Sequence, residues 1–514
     1  MGIMKKGIYR TYKVLHGFPG VVPITHFFYN RIIPYFKTSE RPYIYRQQLE
    51  TPLDKKEVAY KQIEELTIAI ICDEMTFAGF KKECKCVFVT PSNWMEVFRK
   101  VKPDLFFCES TWSGINKYKD CWRGRIYKNG KAGFENRKDL LHILDFCQKS
   151  SIPTVFWNKE DPTFFHDKEH DFVSTALLFD YIYTTAEECI PQYKELGHEK
   201  VNTLMFGFSP QLFNPLGHKP NKEQVIFVGS WYQDQTERCE DMKRLFDTII
   251  DKGLKLEIYD RHSESGNPLN QFPEQYKEYI HPSINFEQLS QVFKRVQFGI
   301  NINTVKDSKT MFARRVFEMM ASNLMVVSND SKGMRELFGE KVWFINESID
   351  LEKVEDYCQD NLRYVFLKHT CRHRLVQVAT EVGILQEDLP PTIYIIYKKQ
   401  YGIIQHFNKI NYQNKIGLIE RNNQLYHIAD DRAINEQEMD AKGFVIWISK
   451  LEYIPNLAFM QTQFSYIEEE CGISEEGPRY SFEVNSNNEK VLFKLSLFKK
   501  IKQDRKRSTK KYFV

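Results

Sequence analysis

The chain has 514 residues, of which 42% are hydrophobic and 14% aromatic, enough apolar material for roughly two to four cored domains. A net charge of only +4 excludes a protein that holds polyanions through its overall charge, and the eleven cysteines follow neither a disulfide framework nor a paired zinc-ligand spacing. No apolar run reaches the roughly 18 residues of a membrane span and no secretory leader is visible, so a reducing, cytoplasmic setting is expected, with Cys72, Cys108 and Cys147 as buried thiols.

Residues 1–60 form a basic, aromatic extension. Positions 1–48 carry eight Lys/Arg against the single acid Glu40, and Pro19, Pro23 and Pro34 exclude one long helix. Two readings stand: a foot on an anionic membrane surface, or an arm packed on the body. From 61 to 215 strands alternate with helices. The strand runs are 65–73, 86–90, 105–110, a run from Thr154, 179–185 and 201–208, and this alternation predicts a doubly wound parallel sheet. Polar clusters close these strands: Asp73-Glu74, Glu109, Asn158 to Asp161 and Thr184-Thr185. In open parallel sheets ligands sit at such ends. Each cluster taken singly also suits a cap or a loop.

A second alternating unit is expected over 216–388, after the punctuated linker that begins at Asn214-Pro215. Its first strand, 225–232, contains Gly229, and a later one ends at Asp260 and Arg261. Residues 308–340 then read as loop, helix, strand and short helix. Ser308 and Thr310 suit a helix N-cap, and Phe312, Val316, Met319 and Met320 share one buried face. Arg314 and Arg315 fall in the first turns, with Glu318 one turn on. Guanidinium groups and helix amides attract phosphate oxygens, and a carboxylate one turn deeper accepts ribose hydroxyls. The same pattern also fits a solvated Arg-Glu face. A basic helix is predicted over 364–384; its His369, His373 and Arg374 are assigned no metal. Pro390-Pro391 opens a smaller α/β unit, 389–498, and residues 499–514 are expected to be a flexible basic tail, with eight Lys/Arg around Asp504.

The run Ser308, Met311, Phe312, Arg315, Phe317 and Glu318 resembles the rear-domain motif of GT-B glycosyltransferases of the CgeB-like (spore-protein) group. The phrases TPSNW (90–94), Glu109-Ser110-x-Trp112, FWNKEDP (156–162) and FDYIYTT (179–185) resemble the front domain of that group in the same order. Related enzymes carry two glutamates eight positions apart; Glu318 matches the second, and Thr310 stands at the first. The resemblance implies a GT-B fold of two Rossmann-like domains facing a cleft, and transfer of sugar from a nucleotide-sugar to a cell-envelope or surface glycopolymer without a metal or other cofactor. The donor would meet Gly229, Asp260, Ser308, Thr310, Met311, Arg314, Arg315 and Glu318. The acceptor would lie on 61–215, with Asp161, Glu109, Asp73 and Glu160 as catalytic carboxylates if the reaction inverts, and as hydroxyl ligands if it retains. The alternative is an inactive GT-B-fold scaffold or carbohydrate-binding protein. More faintly, 392–514 resembles a GT-A domain whose Asp-rich metal motif is replaced by Ser449-Lys450-Leu451-Glu452, hence a degenerate accessory unit. Expected partners are the nucleotide-sugar, the glycan acceptor and, through 1–48 and 499–514, the inner face of an anionic membrane. Nucleic acid is disfavoured, and oligomeric state stays open.

Overall fold

The computed structural model describes residues 60–131, 134–386, 388–398, 401–422, 424–467, 471–475, 482–485, 490–503 and 509–513. The expectations for residues 1–48 lie outside the described residues.

Apolar runs bounded by polar turns form the strands of a front lobe: β1 (Thr67–Ile71), β2 (Lys85–Phe88), β3 (Leu105–Glu109), β4 (Thr154–Asn158), β5 (Tyr181–Thr184) and β6 (Val201–Thr203). They make one six-stranded sheet in the order β2-β1-β3-β4-β5-β6, parallel throughout. Every residue of β3 and β4 is buried, as expected for strands covered on both faces. The rear lobe repeats the plan with β7 (Asn221–Gly229), β8 (Lys255–Asp260), β9 (Ile280–His281), β10 (Val296–Asn301), β11 (Met325–Ser328) and β12 (Trp343–Phe344). Its order is β12-β11-β10-β7-β8-β9, again all parallel. Two Rossmann-like sheets are therefore present, the expected GT-B architecture. Strand order reverses between β1 and β3 in front and between β7 and β10 behind. Crevices open at such switch points, outside the carboxyl ends of the strands. Both Asp73, just past β1, and Glu109, the last residue of β3, lie at the front one.

The basic helix expected over 364–384 is instead two helices, Val354–Lys368 and Cys371–Val382. Thr370 breaks it: its hydroxyl accepts from His373 N and its own N–H donates to His373 Nδ1 at 3.3 Å, a capping box. The break is stitched to the stretch that follows β6, since Phe208 N donates to His369 O and Cys371 N donates to Phe208 O, at 3.1 and 2.8 Å. The second helix crosses back. Its Cys371, Leu375, Val378 and Ala379 join Ile68, Ile70, Phe107 and Trp157 in the front-lobe core.

Beyond Pro391 a nine-stranded mixed sheet forms, with parallel strands Ile393–Tyr397, Lys415–Arg421 and Phe444–Ile448 adjacent to one another. It shares one apolar core with the rear lobe, where Phe366 meets Phe459 at 6.2 Å and Tyr466 at 5.8 Å between ring centroids. The tail expected to be flexible contains helix Leu495–Gln503 and strand Thr509–Phe513. That strand is gripped from both sides, by Cys471–Ser474 and Phe482–Asn485, and Tyr512 is fully buried. Ladder pairing and one aromatic anchor outweigh the repulsion of its lysines. Among the described residues no helix is long and apolar enough to cross a membrane.

Candidate active site

On the front lobe the strand-end carboxylates do not stand free. Lys159, one residue past β4, donates to Asp73 Oδ2 at 2.7 Å and to Glu109 Oε1 at 2.9 Å. Glu109 is fully buried and also accepts from Thr76 Oγ1 at 2.7 Å and from Asp73 N. Asp73 gathers the Thr111 hydroxyl and the backbone N–H groups of Trp112, Ser113 and Gly114. Burial alone would raise the Asp73 carboxyl, but Lys159 and the Thr111 and Ser113 donors hold it well below the usual range. Burial opposes charge on Lys159 too, yet Glu109 and Asp73 push its pKa above the ordinary lysine value. The triad is a hydrogen-bonded ion cluster at the switch point.

Asp161 is fully buried and accepts from Asn158 Nδ2 (2.7 Å), Thr184 Oγ1 (2.7 Å) and Tyr193 Oη (3.0 Å). Desolvation pushes its pKa up to about 7 against the pull of those hydroxyls. Glu160, like Asp73, is only partly buried, whereas Glu109 and Asp161 are fully buried. Burial raises its carboxyl, offset in part by Lys159 and by a hydrogen bond from Trp112. Trp112 itself belongs to a partly open aromatic group, with Phe164 and His170 rings at 5.4 and 5.2 Å.

The helix expected from Ser308 begins only at Arg315 and ends at Ala321. Ser308 and Thr310 therefore do not cap it; they tie the lobes together. Ser308 Oγ donates to Glu188 Oε2 (3.0 Å), Thr310 Oγ1 donates to Thr185 O (2.8 Å) and accepts from Glu187 N (2.9 Å), all on the front lobe. Met311 packs against the front-lobe core. Behind, Gly333 N donates to Ser308 O, and a Cβ at Gly333 would meet Lys309 O at 2.5 Å, so glycine is what lets this strap lie flat. Arg314 also reaches across: its guanidinium donates to Thr76 Oγ1 at 3.1 Å and covers the Phe206 ring at 5.0 Å. Through Thr76 it joins the Asp73–Glu109–Lys159 cluster, so these front-lobe residues and the rear-lobe motif meet at the cleft floor.

Arg315 and Glu318 remain unspent. Arg315 is half-buried, and its Nε is buried without a hydrogen bond among the described residues. Burial, then the charge of Arg261 and, more weakly, of Arg238, pull its pKa down to about 10, while Glu318 opposes. Glu318 is 3% exposed. Burial raises its carboxyl against Arg314 and Arg315, and none of the described residues hydrogen-bonds to it. Three guanidinium groups thus converge beyond the carboxyl ends of β7 and β8. Arg261 follows directly on Asp260, its N–H held by Gly229 O at 2.9 Å. Arg238, near the start of helix Thr236–Asp251, donates to Ser230 O at 2.9 Å and covers the Tyr232 ring. Nothing in the sequence singles out Arg238, Lys159 reads there only as part of the strand-end cluster 158–161, and Arg261 only as a strand-end residue. Their signal is a cation within a few residues of a strand's carboxyl end, which means little until the strand order is known.

Two expected donor residues have local explanations. A Cβ at Gly229 would lie 2.5 Å from the Phe227 ring, so its bareness serves core packing. The carboxylate of Asp260 accepts from His262 N at 2.8 Å and shapes the turn that carries Arg261.

Residues 239–380 match the family model described as "Glycosyl transferase-like". No curated protein matches the chain at a significant level. Among solved structures, sucrose-phosphate synthase from Thermosynechococcus elongatus is similar at 11% identity over 56% of this chain and 75% of that one, with a TM-score of 0.37. HepE from Anabaena in complex with UDP is similar at 12% identity over 62% and 100%, TM-score 0.37, and a glycosyltransferase from Rickettsia africae at 11% over 60% and 87%, TM-score 0.38. With a glycosyl transferase-like domain filling most of the rear of a two-sheet GT-B architecture, the chain is a glycosyl-transferring enzyme.

Proposed function

We propose that the cleft holds a nucleotide-sugar by its diphosphate and passes the sugar to a hydroxyl of a cell-envelope glycopolymer, as the CgeB-like resemblance implies. The observation that carries this is the convergence of Arg238, Arg261 and Arg315, none in a salt bridge among the described residues, with Glu318 buried beside Arg315. A diphosphate leaving group gains negative charge as the glycosidic bond breaks. Fixed guanidinium groups in a dry site stabilise that charge without reorganising. They supply the charge a divalent cation supplies elsewhere, which fits a metal-independent transfer. Glu318, with acceptor capacity to spare, takes a pair of ribose or sugar hydroxyls. On the acceptor side Glu160 is the carboxylate best placed to accept a proton, since Asp73 and Glu109 are committed to Lys159.

Calorimetric titration with UDP and GDP tests the donor site. Arg315→Ala and Glu318→Gln should each weaken the preferred nucleotide about tenfold to a hundredfold, the size of one lost charge-assisted hydrogen bond. Both variants should fold, because Glu318→Gln keeps the shape of the side chain and Arg315 is only half-buried. Unchanged affinity in both would remove the assignment.

A further inference from the structure

The rear lobe has a second recess, on the face of its sheet that helix Phe286–Phe293 covers. Helix Phe286–Phe293 leans over β8, whose residues on that side are only half-buried. Between them lies a cavity of about 500 Å3, within the range of small-molecule sites. Its polar lining is Lys219, Lys294, Arg295, Gln288, Gln291 and Tyr259, with no carboxylate among the described residues that line it. Lys219 and Lys294–Arg295 sit where β7 and β10 begin: Lys219 N donates to Lys294 O and Asn221 N to Arg295 O, at 3.0 and 2.9 Å. The cleft arginines stand beyond the other ends of the strands.

The charges here are poorly compensated. Lys294 is partly buried, and its ammonium donates to the amide oxygen of Asn214 at 3.1 Å, with no carboxylate partner among the described residues. Burial lowers its pKa. Glu257 accepts from the Gln224 amide and from the Tyr259 hydroxyl at 3.3 Å, and Arg295 also acts on that hydroxyl. His281 stacks on the Tyr259 ring. Three cations, two primary amides and a phenol in one recess match an anion that also carries hydroxyl groups. The cations take the phosphate oxygens, and the amides and phenol take the hydroxyls.

We propose that this recess binds a phosphate ester of a sugar or polyol, independently of the donor in the cleft. Such an ester comes either as a free monoester or as a diester within a polymer. Calorimetry on the full chain therefore uses glucose 6-phosphate for the first, glycerophosphoglycerol for the second, and inorganic phosphate and glucose as references. At least one ester should bind saturably, more tightly than either reference, and raise the Tm. Lys294→Met should weaken it about tenfold to a hundredfold, the cost of one charge-assisted hydrogen bond. Gln291→Ala and Arg295→Gln, both at exposed positions, should weaken it in the same direction and decide the matter if Lys294→Met does not fold. Arg315→Ala must leave ester binding intact. The proposal is overturned if neither ester outbinds inorganic phosphate, if the pocket variants bind as wild type does, or if Arg315→Ala abolishes binding.

Discussion

Asp161 shows how burial rewrites a residue that the sequence offers simply as a strand-end acid. Its folded pKa near 7 stands above the unfolded value of about 3.9, so between those values the folded chain keeps a proton that the unfolded chain has released. Stability from this group is full below about pH 4 and is lost as pH rises through about 7, by an amount on the order of 4 kcal/mol. Asp161→Asn mimics the protonated form. Its Tm should exceed that of wild type at pH 8 and the gap should close toward pH 5. A gap that ignores pH would show that the carboxyl does not titrate in this range. The same variant bears on catalysis: a wild-type single-turnover rate would remove Asp161 as general base and leave Glu160.

At the scale of elements, the strap over residues 303–314 is the feature most changed by the structure. Composition and spacing present Ser308 and Thr310 as a helix cap, because small hydroxyl residues before an apolar period are what caps look like. They are used instead as cross-lobe hydrogen-bonding groups, and no local pattern records a partner that lies more than a hundred residues away. Thr310→Val keeps the shape but removes the donor to Thr185 O and the acceptor for Glu187 N. It should cost about 1–3 kcal/mol, read as a lowered Tm, and weaken donor binding by letting the lobes part. A Tm and a nucleotide affinity equal to wild type would mean that the strap does not hold the cleft. The split at Thr370 teaches the same lesson. Helical periodicity runs through 364–384, and the interruption comes from Phe208 pairing with the chain on either side of Thr370.

Across the whole molecule, three histidines stand out, two buried (His218 and His369) and one half-buried (His373). His369 stacks on Phe317 at 4.6 Å and accepts from Arg374, His373 caps the crossing helix, and His218 sits in the linker beside Asn323. Burial comes first among the causes that lower their pKa values, to about 3, 4 and 4 respectively, with neighbouring cations adding to the effect. For a histidine depressed in the fold, stability is intact above the unfolded pKa of about 6.5 and falls as the unfolded chain takes up protons below it. The Tm should therefore drop steeply from about pH 6.5 toward pH 4, in the opposite sense to the Asp161 effect. Replacing all three by Gln should flatten that slope; an unaltered slope would place the acid sensitivity in other groups.

The alternation of apolar strands with amphipathic helices was legible in the chain, and with it the two doubly wound lobes, because burial on both faces leaves an unmistakable run of apolar residues. Arg315 and Glu318 were legible too, since one helical turn brings them together whatever surrounds them. Tertiary structure alone decided which charges are free. Strand order brought Arg238 and Arg261 to Arg315, placed Lys159 between Asp73 and Glu109, and carried the strap onto the front lobe. Each of these pairings joins residues far apart in the chain, and no local period or propensity encodes the distance between them.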